Sequence, residues 1–165
     1  MAVLPICRLP HDKILRQKAK KISSVDTSIQ YLIDNMIETM QSVNGVGLTA
    51  PQIGKSLRII VVQLPSEKPQ VIINPEIVKH SGEHEVTEGC LSIPGYYGQI
   101  KRSAEVTAKG KDRHGRAIRI KATDLMAEAL EHEIDHLNGV LYIDHIENGD
   151  KLCRIELTEK MRSAI

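Results

Sequence analysis

Two histidines four residues apart on a helix stand one above the other on the same face. The run His132-Glu133-Ile134-Asp135-His136 has that spacing. It sits in a stretch that reads as helix from Thr123 or Asp124, its candidate caps, to Asn138, with Gly139 as the stop. Both imidazoles can therefore reach one metal ion. Glu133 lies about 100° round the axis, off the ligand face but within reach of a water on that metal, as in the HExxH arrangement of metallohydrolases. The plainer alternative is a pair of half-buried histidines on an amphipathic helix.

A third ligand decides which metallohydrolase this is. The pattern HExxHxxGxxH needs a third His where Tyr142 stands, and His145 comes three residues too late. A downstream carboxylate would have to be Glu156 or Glu159, near the chain end. Cys90 is the better candidate, since a metal keeps a thiol deprotonated and a thiolate is a strong soft ligand. It follows Gly89, which permits close backbone approach. Cys7 and Cys153 read as small buried hydrophobes.

The rest of the composition narrows the class. The chain has 165 residues, enough for one domain with a sizeable core. It has four Tyr and no Phe or Trp, so the core must come from aliphatic residues and Met, and base stacking on aromatics is poorly supplied. A formal net charge of +1 gives no overall nucleic-acid footprint, although Arg16 to Lys21 and Lys109 to Arg119 are locally basic. The first of these reads as a solvated face. Three cysteines fit a reducing compartment better than a disulfide framework. No signal-peptide pattern and no membrane-spanning run is read, so the cytoplasm is expected, with neither DNA nor membrane as a partner.

Residues 1–25 read as an extended lead-in, with Ile14-Leu15 docking on the core. Asp26 or Ser28 is placed to cap a helix whose apolar side is Ile29, Leu32, Ile33, Met36, Ile37 and Met40, ending near Gly45. After the turn Gly45-Val46-Gly47, a buried strand is expected over 58–64 and another from Val71, interrupted at Asn74-Pro75. Residues 104–111 and 116–121 alternate as a hairpin about Arg113-His114-Gly115. Val140 to Ile143 reads as extended and 156–163 as a short helix. The order suggests an α+β fold rather than a doubly wound parallel sheet.

In three places the sequence resembles the peptide deformylase family. Gly45-Val46-Gly47-Leu48-Thr49-Ala50-Pro51-Gln52 is similar to its glycine-rich motif ending in Gln, with Thr49 where Ala is common. Glu88-Gly89-Cys90-Leu91-Ser92 matches its second motif, and HEIDH its third, all in the family's order. The resemblance runs from about Ile6 to Ile143. It implies one catalytic domain over 1–165, with antiparallel and mixed β-sheets packed around a central HExxH helix and an N-terminal helix.

The resemblance further implies that Cys90, His132 and His136 bind one divalent metal, Fe²⁺ in cells, with Zn²⁺ able to occupy the same site in purified protein. It implies Glu133 as general base, and the Gln52 amide with the Leu91 backbone N–H as oxyanion donors. The substrate would be N-formyl-methionine at the start of a newly made polypeptide, and formate the product. Gly47 would pair with the extended substrate. Val46, Val86, Leu125, Ala129 and His132 are candidate walls of the methionine pocket, with Glu88 and Gly89 beside them. Asp135 is expected to pair with Arg102. A monomer is expected, with transient ribosome contact as a further partner, although the tail after residue 150 is shorter than in members whose terminal helix is implicated in docking. Two competing readings are another single-metal peptidase or amidase, which would cut internal peptide bonds, and a catalytically silent binding protein. The intact Glu133 and Gln52 speak against the second.

Overall fold

The computed structural model describes residues 1–155. The helix expected over 156–163, and Glu156 and Glu159 with it, lie outside the described residues.

Asp26 caps helix α1 (Thr27–Ser42), its side chain accepting the Ile29 N–H at 3.0 Å. Ile29, Ile33, Met36 and Met40 form its buried stripe, as their spacing predicts. The chain then enters a short strand, β1 (Gly47–Thr49), followed by β2 (Ile59–Val62) and β3 (Gln70–Ser81). The hairpin of β4 (His84–Cys90) and β5 (Ile93–Arg102) comes next, then β6 (Glu105–Lys111), β7 (Ala117–Thr123) and helix α2 (Asp124–Leu137). A last short strand, β8, spans Leu152–Arg154.

Five strands form one sheet in the order β1-β2-β3-β6-β7, and three form another in the order β4-β5-β8. Every strand pair is antiparallel. This corrects the expectation of mixed sheets: among the described residues, parallel pairing is confined to an isolated bridge between Lys20 and Leu57. Four neighbouring pairs, β1–β2, β2–β3, β4–β5 and β6–β7, are consecutive in the chain, as antiparallel pairing allows without a crossover helix, while β3 reaches β6 through the β4–β5 hairpin and β5 reaches β8 through β6, β7 and α2.

The interruption expected at Asn74-Pro75 is a bulge within β3. Asn74 has φ 51°, and the register to β6 shifts between Ile73 and Glu76. The Asn74 side chain closes the gap by accepting the Ile22 N–H at 2.8 Å and donating to the Ile22 carbonyl at 2.7 Å. Val140 to Ile143 is corrected likewise. Residues Tyr142–His145 form a 3-10 turn, because the Asp144 carboxylate accepts the Leu141 N–H at 2.9 Å.

The larger sheet has two apolar faces. Ile60, Val62, Ile72, Val106 and Ala108 pack with Leu130, Ile134 and Leu137 of α2. Ile59, Val61, Val71 and Ile73 pack with Ile33, Met36 and Met40 of α1. Full burial of each large aliphatic contributes roughly 1.5–3 kcal/mol, so α2 is held by its own core and not by helix propensity. Its C-terminus is fastened too. Arg58, 8% exposed, donates to the Leu137 carbonyl at 2.9 Å and to Asn138 at 3.1 Å, placing a cation at the negative end of the helix. Gly139 follows at φ 73°, and a Cβ there would meet the Arg16 carbonyl oxygen at 2.5 Å.

Arg58→Met keeps the aliphatic stem and removes the helix-end donor. Leu137 O retains the Ala19 N–H, so a loss of about 1–2 kcal/mol is expected. Urea unfolding measures it, and an unchanged midpoint would show that the cap contributes nothing.

Candidate active site

Three elements converge on one point. The α2 helix supplies His132, Glu133 and His136, the end of β4 supplies Cys90, and a 3-10 turn after β1 (Ala50–Ile53) supplies Gln52. Ligand atoms of Cys90, His132 and His136 lie within 4.8 Å of one another, and Cys90 Sγ is 3.2 Å from His136 Nε2. Tetrahedral zinc or iron-sized coordination by sulfur and imidazole nitrogen needs roughly 3.6 Å between such atoms. One thiolate and two imidazoles at this spacing therefore fit a single divalent metal, with room left for a further ligand.

The histidines are prepared unequally. Glu88 is 5% exposed and lies beneath His132, with Oε2 2.7 Å from Nδ1. Burial works to raise its carboxyl, but His132 and the Arg102 guanidinium outweigh burial and hold it at about 2. An ionised carboxylate only accepts, so the Nδ1 proton belongs to His132 and its Nε2 is the atom left to bind metal. Burial and the neighbouring His132 push His136 well below the usual range, which keeps it in the neutral form a ligand requires.

Arg102 ties this arrangement together. Its Nε and Nη2 donate to Glu88 at 2.7 and 3.0 Å, and its Nη1 donates to Asp135 at 2.7 Å. The pair expected between Asp135 and Arg102 is thus present, and Asp135 also lies 2.8 Å from His145 Nε2.

Glu133 is buried, and its Oε2 has no hydrogen-bond partner among the described residues. Burial pushes its carboxyl up to about 7. Gly47 stands directly against it. A Cβ on Gly47 would collide with the Glu133 carboxylate, coming within 2.7 Å of Cδ. The spacing of Gly45-Val46-Gly47 signals a turn but carries no hint of this contact, which joins residues 86 positions apart in sequence.

Gln52 is oriented from behind. Its Oε1 accepts the Thr49 N–H at 3.0 Å and the Thr49 hydroxyl at 3.3 Å, as in a capping box. Its amide nitrogen thereby points inwards, donating to Ser92 Oγ at 3.2 Å and lying 3.8 Å from Cys90 Sγ. The lead-in segment, read in the sequence only as extended, bonds both neighbours: Cys7 N–H donates to Gln52 O at 2.7 Å and Leu9 N–H to Ser92 O at 3.0 Å.

A cleft of about 540 Å³ opens over these groups. Val46, Gly47, Glu88, Gly89, Leu125 and Ala129 line it, together with Cys90, Leu91, His132 and Glu133. Val86, the other expected wall residue on β4, is half-buried two residues before Glu88 and so on the same side of the strand. Thr87 also lines the cleft. Ile6, Val43, Ile93 and Tyr96 complete the apolar lining. Only hydrophobicity marked them in the sequence, and that mark is shared with the core. Tyr96 faces the cleft, while its neighbour Tyr97 pairs with Cys153 of β8.

A buried carboxylate beside a Cys/His/His cluster, at the base of an apolar cleft on an α+β fold, defines a metal-dependent hydrolase. The particular family follows from comparison. A family model described as Polypeptide deformylase matches residues 3–152. A peptide deformylase from Dehalococcoides mccartyi strain CBDB1 is 57% identical, covering 100% of this chain and 99% of its own. One from Thermodesulfovibrio yellowstonii is 52% identical, covering 88% of this chain and 90% of its own. The crystal structure of a Legionella pneumophila peptide deformylase superposes with TM-score 0.86 at 46% identity, over 91% of this chain and 89% of that one. That of the Ehrlichia chaffeensis enzyme in complex with actinonin gives 0.87 at 38%, over 92% of each chain. The chain belongs to the polypeptide deformylase family, metal-dependent hydrolases that remove the N-terminal formyl group from nascent polypeptides.

Two substitutions test this geometry. Gly47→Ala is expected to displace Glu133 and cut kcat at least about 10²-fold while the far-ultraviolet circular dichroism stays unchanged; near-normal turnover would mean the carboxylate has slack. Glu88→Gln removes the charge that orients His132, and metal affinity should fall roughly 10–100-fold in a chelator competition.

Proposed function

We propose that Cys90, His132 and His136 hold one divalent metal, Fe²⁺ in the cell and Zn²⁺ as a substitute in purified protein, and that residues 1–165 act as one catalytic domain on N-formyl-methionyl chains. The observation that carries this reading is the convergence of the three candidate ligand atoms within 4.8 Å, beside Glu133, whose Oε2 has no hydrogen-bond partner among the described residues. A thiolate with two imidazoles suits either ion, and the resemblance to the family favours iron. When bound, the metal supplies Lewis-acid polarisation and a water nucleophile at neutral pH.

The chain's own groups do the rest. Glu133, raised by burial, takes the proton released as water attacks the formyl carbon and returns it to the departing amine. The Gln52 amide, held by Thr49, donates to the oxygen on which charge develops, and the Leu91 backbone N–H serves as its partner. Val46, Leu125 and Ala129 enclose the methionine side chain without polar demand, so selection among similar apolar side chains is modest. The edges of β1, with Gly47, and of β4, with Gly89, flank the cleft and offer backbone groups to an extended peptide.

No helix of the described residues is long and apolar enough to cross a membrane. We place the enzyme in the cytoplasm, working as a monomer because one chain supplies the whole site, in transient contact with the ribosome.

The decisive experiment loads purified protein with Fe²⁺ and offers formyl-Met and acetyl-Met peptides. Formate should appear from the first only, and stop on chelation. Glu133→Ala should retain the metal yet lose about 10²–10⁴-fold in kcat, and Gln52→Ala about 10²–10³-fold. Full activity in Glu133→Ala, or undiminished metal content in Cys90→Ala, would overturn the assignment.

A further inference from the structure

The face of the larger sheet turned away from α2 carries charge that the cleft does not use. Cross-strand partners share a face. The register sets Lys79, Thr107 and Lys121 in one row across β3, β6 and β7, with Glu76, Lys109 and Arg119 in the next. Lys111 extends the patch towards the β6–β7 turn, and Ser81, Glu105 and Thr123 close its other end. On the opposite face, Val106, Ala108, Ile118, Ile120 and Ala122 pack in the α2 core. The locally basic run from Lys109 to Arg119 is thus doubled back by the turn, so that its two ends stand side by side.

All five cations are exposed. Two carboxylates share the face: Glu76 lies 3.7 Å from Lys109 Nζ, and Glu105 accepts from the Ser81 hydroxyl at 3.3 Å. The patch therefore holds a surplus of three positive charges in a chain whose formal net charge is +1. Neighbouring cations stand roughly 5–7 Å apart, the spacing of adjacent strands and of alternate residues along one. A groove of about 580 Å³ runs between them, lined by Lys79, Ser81, Glu105, Thr107, Arg119 and Lys121.

We propose that this sheet face docks on the phosphate backbone of helical RNA. A regular lattice of cations is complementary to a regular lattice of phosphates. None of the four Tyr lies in these rows and the chain has no Phe or Trp, so the face has no platform for unstacked bases and reads backbone and shape rather than sequence. Beside the rows Val78, in the β3 bulge, is an exposed large apolar side chain, and one valine is too little to anchor a lipid surface. The choice of RNA rests on the family's activity: a nascent polypeptide is still attached to a machine built largely of helical RNA. The cleft opens between β1, the β4–β5 hairpin and α2, so a duplex on the far face leaves it free.

The test titrates the metal-loaded full chain into a fluorescein-labelled RNA hairpin of about 16 base pairs, read by anisotropy across a salt series. Binding should fall with salt with a log–log slope of about −4, set by four or five phosphate contacts, and be indifferent to hairpin sequence. K79E/R119E/K121E should weaken binding at least tenfold and flatten the slope, while K18E/K21E on the other basic segment should not. Formate release from formyl-Met-Ala-Ser is measured on every variant. Retained release shows that the triple variant is folded, and if it is lost, R119E alone replaces it with an expected severalfold weakening. The proposal is overturned by absence of RNA binding at low salt, by equal losses in both charge-reversal variants, or by tighter binding to phosphatidylserine vesicles than to the hairpin. Each of these outcomes is independent of whether formate is released.

Discussion

Arg102 is 4% exposed and is gripped on two sides, by Glu88 of β4 and Asp135 of α2. Taking the guanidinium and the Glu88 carboxylate out of water costs several kcal/mol per ion, and close geometry must offset it. Here the geometry does more than balance charge. Glu88 spends its second oxygen on His132, so the cluster joins the hairpin that ends in Cys90 to the helix that carries both histidines. Removing Glu88 would strip Arg102 of its buried partner, at about 3–5 kcal/mol, and would loosen the elements that carry Cys90 and the two histidines together.

The same economy of position governs the nucleophile's side of the cleft. Gly47 has no Cβ because the Glu133 carboxylate occupies that space. Gln52 is turned inwards by Thr49, and the residue that departs from the commoner Ala in the glycine-rich motif adds a second donor to the Gln52 oxygen. The N-terminal segment bonds both Gln52 and Ser92 through its backbone, so the two walls of the cleft are stitched from outside by residues with no chemistry of their own. A site of this kind is precise because each reacting group is held by a neighbour that does not react.

The two faces of the five-stranded sheet divide the labour. One packs α2 and so carries the catalytic helix. The other packs α1 over its first half and leaves a basic lattice on its second. Strand alternation makes this possible, since the residues that build the α2 core and those that carry the exposed cations come from the same two strands, β6 and β7.

Much of this was present in the order of residues. The periodicity of Ile29 to Met40 specified α1, the alternation about Arg113-His114-Gly115 specified the β6–β7 hairpin, and HEIDH at helical spacing specified two histidines on one helix face with a glutamate beside them, because these are local patterns with one geometric outcome. Cys90 and Gln52 were legible through motif resemblance, and the Arg102–Asp135 pair through charge. What only tertiary structure decided was contact between distant segments: that every strand pair is antiparallel, that Glu88 supports His132, that the N-terminal segment bonds Gln52 and Ser92, and that Gly47 makes room for Glu133. A one-residue change of strand register inverts which side chain faces the cleft, and HEIDH alone contains nothing that sets that register.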